Sequence, residues 1–172
     1  MAKAIKYVNG TYLDSSNVNY KKNNLKSIVD SILSNPIGEF VLWEGEKEII
    51  ENGDWQFIAM HYSLKEAINS KFPIKDGYNR NFKLCMESTD NIGITNGYKY
   101  VKFSQNSYTK EYLFTNTWGD ITSGVKAFQS LDFDYNNLPN GHITIEITPS
   151  FEAGGSTIRI YKLYLLIYDT IE

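Results

Sequence analysis

Pro139-Asn140-Gly141-His142-Ile143-Thr144-Ile145-Glu146-Ile147-Thr148 sets the class of fold. Isoleucine at every second position, with polar residues between, draws one apolar face and one polar face. That pattern is a half-buried antiparallel strand. The Pro-Asn-Gly before it is a turn: proline presets φ, and asparagine and glycine accept the backbone angles that follow. The same grammar extends both ways. Asn96-Gly97 separates Ile92-Gly93-Ile94 from Tyr98–Phe103, and Asn52-Gly53 separates Glu48-Ile49-Ile50 from Trp55-Gln56-Phe57-Ile58. Both read as two-residue hairpin turns, because Asn-Gly tolerates the positive φ such turns require. Downstream, Ile158–Tyr168 is the longest and most apolar run, a central strand or one bent across two sheets.

Strands are expected near 39–43, 47–51, 55–61, 80–87, 92–95, 98–104, 110–117, 125–133, 142–148 and 156–168. Residues 63–70 read as one helical turn or an irregular crossover. No helix of normal length lies between strands, which argues against a parallel α/β sheet. The expected class is all-β: an antiparallel β-sandwich, jelly-roll-like, over residues 37–172.

Ahead of it the pattern differs. Residues 1–22 are rich in Asn, Ser and Lys and carry few core formers. They read as an extended arm that orders against a partner, or as a disordered tail. Residues 23–36 form a stem. Leu25, Ile28, Val29, Ile32 and Leu33 draw one apolar stripe over a helix at 24–34, which Asn23 or Asn24 caps and Asn35-Pro36 ends. Isolated helices shorter than about 12–15 residues are marginal in water. The stripe must therefore pack, either on the sandwich or on the same helix of sister chains.

Charge and composition exclude several functions. The chain carries 17 basic against 20 acidic residues, and its longest basic run is Lys21-Lys22, too short to track phosphates. Nucleic acid is not an expected partner. No apolar stretch reaches the roughly 18 residues that cross a bilayer. Met1-Ala2-Lys3-Ala4-Ile5-Lys6 lacks an apolar signal core, so the chain is expected to stay in the cytoplasm that makes it unless it leaves within a larger assembly. The lone cysteine, Cys85, excludes an internal disulfide and a thiolate metal cage.

No nucleophile elbow, phosphate loop or zinc helix appears, and His61 and His142 are the only histidines. Cys85, in Phe82-Lys83-Leu84-Cys85-Met86, reads as a buried thiol rather than a nucleophile. Asp132-Phe133-Asp134-Tyr135-Asn136 opens like a calcium loop, but Asn137 stands where glycine is needed and Ile143 where glutamate is needed. It reads as an acidic turn, with a structural calcium held from separate loops left open. No catalytic residue, metal ligand or cofactor is expected. The aromatic content, 13 Tyr, 9 Phe and 3 Trp, points instead to binding. A flat ring stacks on the C–H face of a sugar while Asn and Asp bond its hydroxyls. The candidate ligand-binding residues are Trp118, Tyr78, Tyr108, Asp120 and Tyr135. Trp43 and Trp55 read as core plugs, and Trp118 is evenly balanced between the two roles.

Two segments resemble parts of bacteriophage fibre proteins. Leu13–Leu33 is similar to the polar linker that leads such proteins into a short helix before a distal β-domain, and Ile158–Asp169 is similar to the last strand of fibre-tip domains. The resemblance implies a virion protein of a head or tail fibre. In it the stripe of Leu25, Ile28, Val29, Ile32 and Leu33 makes a homotrimer, and the arm attaches to other virion proteins of capsid or tail. The β-domain touches host-surface glycans. The chain departs from long fibres in having no shaft repeat, which leaves fibre, capsid decoration and baseplate component open. A stand-alone carbohydrate-binding module is the alternative, with a glycan-cleaving enzyme third.

Overall fold

A computed structural model describes residues 35–90, 97–116, 127–151 and 157–171. The arm, residues 23–34 of the stem, the strand expected near 92–95, and Trp118 and Asp120 lie outside the described residues. The elements are β1 (Gly38–Ile50), β2 (Gln56–His61), α1 (Leu64–Lys71), β3 (Tyr78–Asp90), β4 (Gly97–Gln105), β5 (Tyr108–Asn116), β6 (Ala127–Asp132), β7 (Ile143–Phe151) and β8 (Thr157–Ile171).

The strands pair first with last: β1 with β8, β2 with β7, β3 with β6 and β4 with β5, all antiparallel. This is one long antiparallel ribbon rolled on itself. Added pairings of β3 with β8 and β4 with β7 close it into two four-stranded sheets, β1-β8-β3-β6 and β2-β7-β4-β5. The fold is a jelly roll, the sandwich that the alternating pattern implies. β8 lies between β1 and β3, which agrees with its length and apolarity.

The core fills the space between the sheets. Ile143, Ile145 and Ile147 of β7 are fully buried, facing Phe82, Leu84 and Met86 of β3 and Leu163, Leu165 and Ile167 of β8 across the core. Each such side chain contributes about 1.5–3 kcal/mol by leaving water. Phe133, in the β6–β7 connection, packs on Phe103 and Tyr112 with ring centres 5.1 and 5.2 Å away. At the Gly97 end the core is polar. Lys99 of β4 is fully buried, and its ammonium donates to Ser88 Oγ at 3.0 Å and Gln129 Oε1 at 3.3 Å. Trp43 packs partly buried against the core, as expected.

Several local expectations change. The two strands expected at 39–43 and 47–51 are one strand, β1. Register shifts between Val41 and Trp43, and between Glu44 and Lys47, absorb the Glu44-Gly45-Glu46 stretch without breaking the pairing to β8. Asn52-Gly53 is a turn, with Gly53 at φ 80°, but it closes no hairpin. β1 and β2 belong to different sheets, so this turn carries the chain round the corner of the sandwich. The Gln56 side chain replaces the missing ladder, accepting from Ile50 N at 3.4 Å and donating to Ile50 O at 2.6 Å. At the other end of β2, away from that corner, His61 Nε2 donates to the Leu42 carbonyl at 2.6 Å and ties β2 back to β1. A two-residue hairpin does join β4 to β5, through Asn106-Ser107, with Asn106 at φ 50°. Residues 64–71 form a helix, α1, seated by buried Leu64 and Ile68.

Candidate functional site

The two sheets differ in what they show to solvent. On the outer face of β1-β8-β3-β6, Cys85 and Tyr164 are register partners and both are buried. Phe128 lies 6.3 Å from the Tyr164 ring and the Lys162 ammonium 4.8 Å from it, so long side chains roof this face. Lys162 is itself held by Glu39 at 2.6 Å. Burial pushes the Cys85 thiol up to about 11, consistent with an inert buried group.

Among the described residues the outer face of β2-β7-β4-β5 is open, and its ladder sets four rows. The first holds Met60, Thr144, Ser104 and Thr109; the second, Phe57, Glu146, Lys102 and Glu111. Thr148, Tyr100 and Leu113 form the third, and Ser150, Tyr98 and Thr115 the fourth. These are the partners of the buried isoleucines, thrown to the other side by the two-residue strand period. Phe57, Met60, Tyr98 and Leu113 are 37–49% exposed. Tyr98 and Tyr100 have ring centres 6.5 Å apart. In the middle, Lys102 Nζ and Glu146 Oε2 form an ion pair at 2.8 Å, and the same ammonium lies 4.2 Å from the Trp55 ring centre. The result is a platform of rings and hydroxyls around the Lys102–Glu146 pair, with Glu111 beside it.

Trp55 therefore belongs to this face rather than to the core. It follows a turn that places it on the solvent side of β2, where Lys102 gives its ring a cation to cover. Phe57, Tyr98 and Tyr100 were not singled out in the sequence. Tyr98 and Tyr100 carried a signal, since they share a strand phase with Lys102 and Ser104; Phe57 shares its phase with Trp55 and Ala59, and the register shift between Phe57 and Ala59 hides its side.

The residues that were singled out lie elsewhere. Tyr78 opens β3 and is 37% exposed. Tyr108 opens β5, packs partly buried on the core, and its hydroxyl is raised above the usual tyrosine range by burial and then by Asp134. Tyr135 is buried, stacked on Phe82 at 4.1 Å, with its hydroxyl donating to Asn69 Oδ1 at 2.7 Å. Its ring is a wall of the fold, so it offers no stacking surface. Tyr108 and Tyr135 flank the Asp134 turn, and neither joins the open face.

A pocket of about 260 Å³ lies beside that turn, lined by Arg80, Asp132, Asp134, Tyr135 and neighbours. It is smaller than the roughly 300–1,000 Å³ usual for ligands, and its Arg80 and Asp134 are engaged. Arg80 donates to both oxygens of Asp169, at 2.7 and 2.9 Å, and Asp134 accepts from Asn137 Nδ2 at 2.9 Å. That bond is the main reason the Asp134 carboxyl titrates low. Among the described residues no group of three or more His, Cys, Asp or Glu is placed to hold a metal ion.

No family model and no curated protein matches the chain. Among solved structures it is similar to the Gt strain structure of infectious bursal disease virus: TM-score 0.40, identity 10%, covering 81% of this chain and 38% of that one. It is also similar to a mutant VP2 protein of that virus in derived T=1 particles: TM-score 0.32, identity 8%, covering 78% of this chain and 36% of that one. The chain spans little more than a third of either, and superpositions this loose carry no function across.

Proposed function

We propose that this chain is a non-catalytic virion surface protein whose jelly roll presents the outer face of β2-β7-β4-β5 to a host-surface glycan. The observation that carries the reading is the contrast between the two outer faces. On one sheet Cys85 and Tyr164 are buried beneath Phe128 and Lys162; the other carries Phe57, Tyr98 and Leu113 exposed, and Trp55 and Tyr100 half-buried, among threonine and serine hydroxyls. Open rings interleaved with hydroxyls suit a sugar chain, whose C–H faces stack while its hydroxyls find polar partners. The jelly roll is an architecture shared by viral capsid and lectin domains. That fold-level analogy supports surface contact but assigns no ligand by itself. On the fibre reading, the stripe at residues 25–33 trimerises the chain and the arm at 1–22 docks on capsid or tail proteins.

The test is a glycan array probed with the intact chain and with a Phe57→Ala, Tyr100→Ala double variant, followed by product analysis of any bound sugar. The reading expects binding that the double variant loses, with the sugar recovered uncut. Binding that survives the double variant contradicts the assigned face, and cleaved product contradicts the non-catalytic role. A stand-alone carbohydrate-binding module shares this face. Mass by light scattering separates the two, a trimer supporting the virion reading and a monomer the module.

A further inference from the structure

The charge pattern of the open face narrows the ligand class, and this step rests on the glycan reading above. The ladder places three charged side chains on this face among the described residues: Lys102, Glu146 and Glu111. Lys102 has a glutamate as register partner on each side, Glu146 on β7 and Glu111 on β5. Its ammonium is held by Glu146 at 2.8 Å and covered by the Trp55 ring at 4.2 Å. The side chains of the ion pair are 17% and 24% exposed, so the cation is neither free nor well solvated. At the rim, the Lys47 ammonium is committed to the Phe57 carbonyl. The three ladder side chains thus sum to a net charge of −1 among rings and hydroxyls, with Lys102 paired to Glu146 and the Lys47 ammonium hydrogen-bonded at the rim.

We infer that the face selects uncharged glycan chains and rejects anionic ones, those bearing sialate, uronate or phosphate. A carboxylate laid on the platform would meet Glu111 and Glu146, and the ammonium between them already shares its charge with Glu146 and the Trp55 ring. Like charge across a contact is a device for excluding partners. The rings also set a direction. Trp55 and Phe57 lie on the β2 side and Tyr98 and Tyr100 on β4, two strand spacings or about 10 Å away. Leu113 of β5 lies one strand further. A chain crossing the strands meets a ring at each end of that span, with Thr148 beneath it.

The experiment uses the full chain on an array that prints each neutral oligosaccharide beside its sialylated or uronate-bearing counterpart. The expected result is retention of neutral chains, with anionic counterparts at least about tenfold weaker, the scale of one unfavourable charge contact. A Glu111→Gln, Glu146→Gln double variant should narrow that gap, because it frees the Lys102 ammonium. Anionic chains binding as well as neutral ones, or an unchanged gap in the double variant, overturns the inference and leaves the glycan reading standing. No retention of any chain overturns both.

Discussion

Lys102 and Trp55 meet across β7, the ammonium 4.2 Å from the indole centre. Glu146 holds the same ammonium at 2.8 Å, so the indole covers a cation that a second group also positions. Replacing Lys102 with Met should leave the fold within about 1 kcal/mol of its original stability, since partly exposed ion pairs contribute little. It should nevertheless weaken glycan retention by loosening Trp55. A urea melt alongside a binding titration separates the two effects.

The strongest polar tie lies at the other end of the roll. Arg80 and Asp169 join β3 to β8 with side chains 3% and 10% exposed, and Arg80 also donates to the Phe72 and Pro73 carbonyls. Truncating Asp169 to Ala strands a buried guanidinium and should cost about 3–5 kcal/mol. The denaturant midpoint should fall with no change in slope.

The core and the face should respond oppositely to the same change. Ile145→Ala removes a fully buried side chain and should cost about 2–5 kcal/mol. Leu113→Ala, on a side chain 39% exposed, should barely move the melt yet reduce ligand retention. Thermal unfolding and array binding on both variants check the pair.

Stability should fall in alkali. Burial, the largest cause in each case, raises the Cys85 thiol from 9.0 to about 11 and the Tyr164 phenol from 10.0 to about 12. The unfolded chain therefore releases these protons first. Above pH 9 it holds fewer protons than the folded chain, and the slope of stability with pH turns negative. Stability is full below pH 9 and declines to about pH 12. Denaturant midpoints taken across that range should show the decline, and Tyr164→Phe should shrink its upper part. Cys85 should resist iodoacetamide near neutrality until the protein is unfolded.

Much of this architecture can be read from residue order. The Ile143–Ile147 alternation marks its own inner face because strand period is local, and the run at 158–168 marks a central strand because only burial on both sides tolerates such apolarity. What residue order hides is pairing. Asn52-Gly53 has hairpin chemistry, yet whether its flanking strands pair or part into two sheets depends on β7 and β8, about a hundred residues away. The binding residues follow the same division. Trp55 resembles a core ring until the ladder shows it on the solvent side, whereas Tyr135 resembles a loop ring until Phe82 is found stacked on it. Flat faces are assembled from four strands at once, so no single segment announces them.

The contact face can be tested with one substitution on each sheet. Phe57, 49% exposed, stands on the open face, and Phe128, 56% exposed, on the roofed one. An aspartate at either position should leave the fold intact, since neither ring is in the core. Retention on neutral glycans should be abolished by Phe57→Asp and unchanged by Phe128→Asp. Equal loss in both variants, or loss confined to Phe128→Asp, would contradict the assignment of the β2-β7-β4-β5 face.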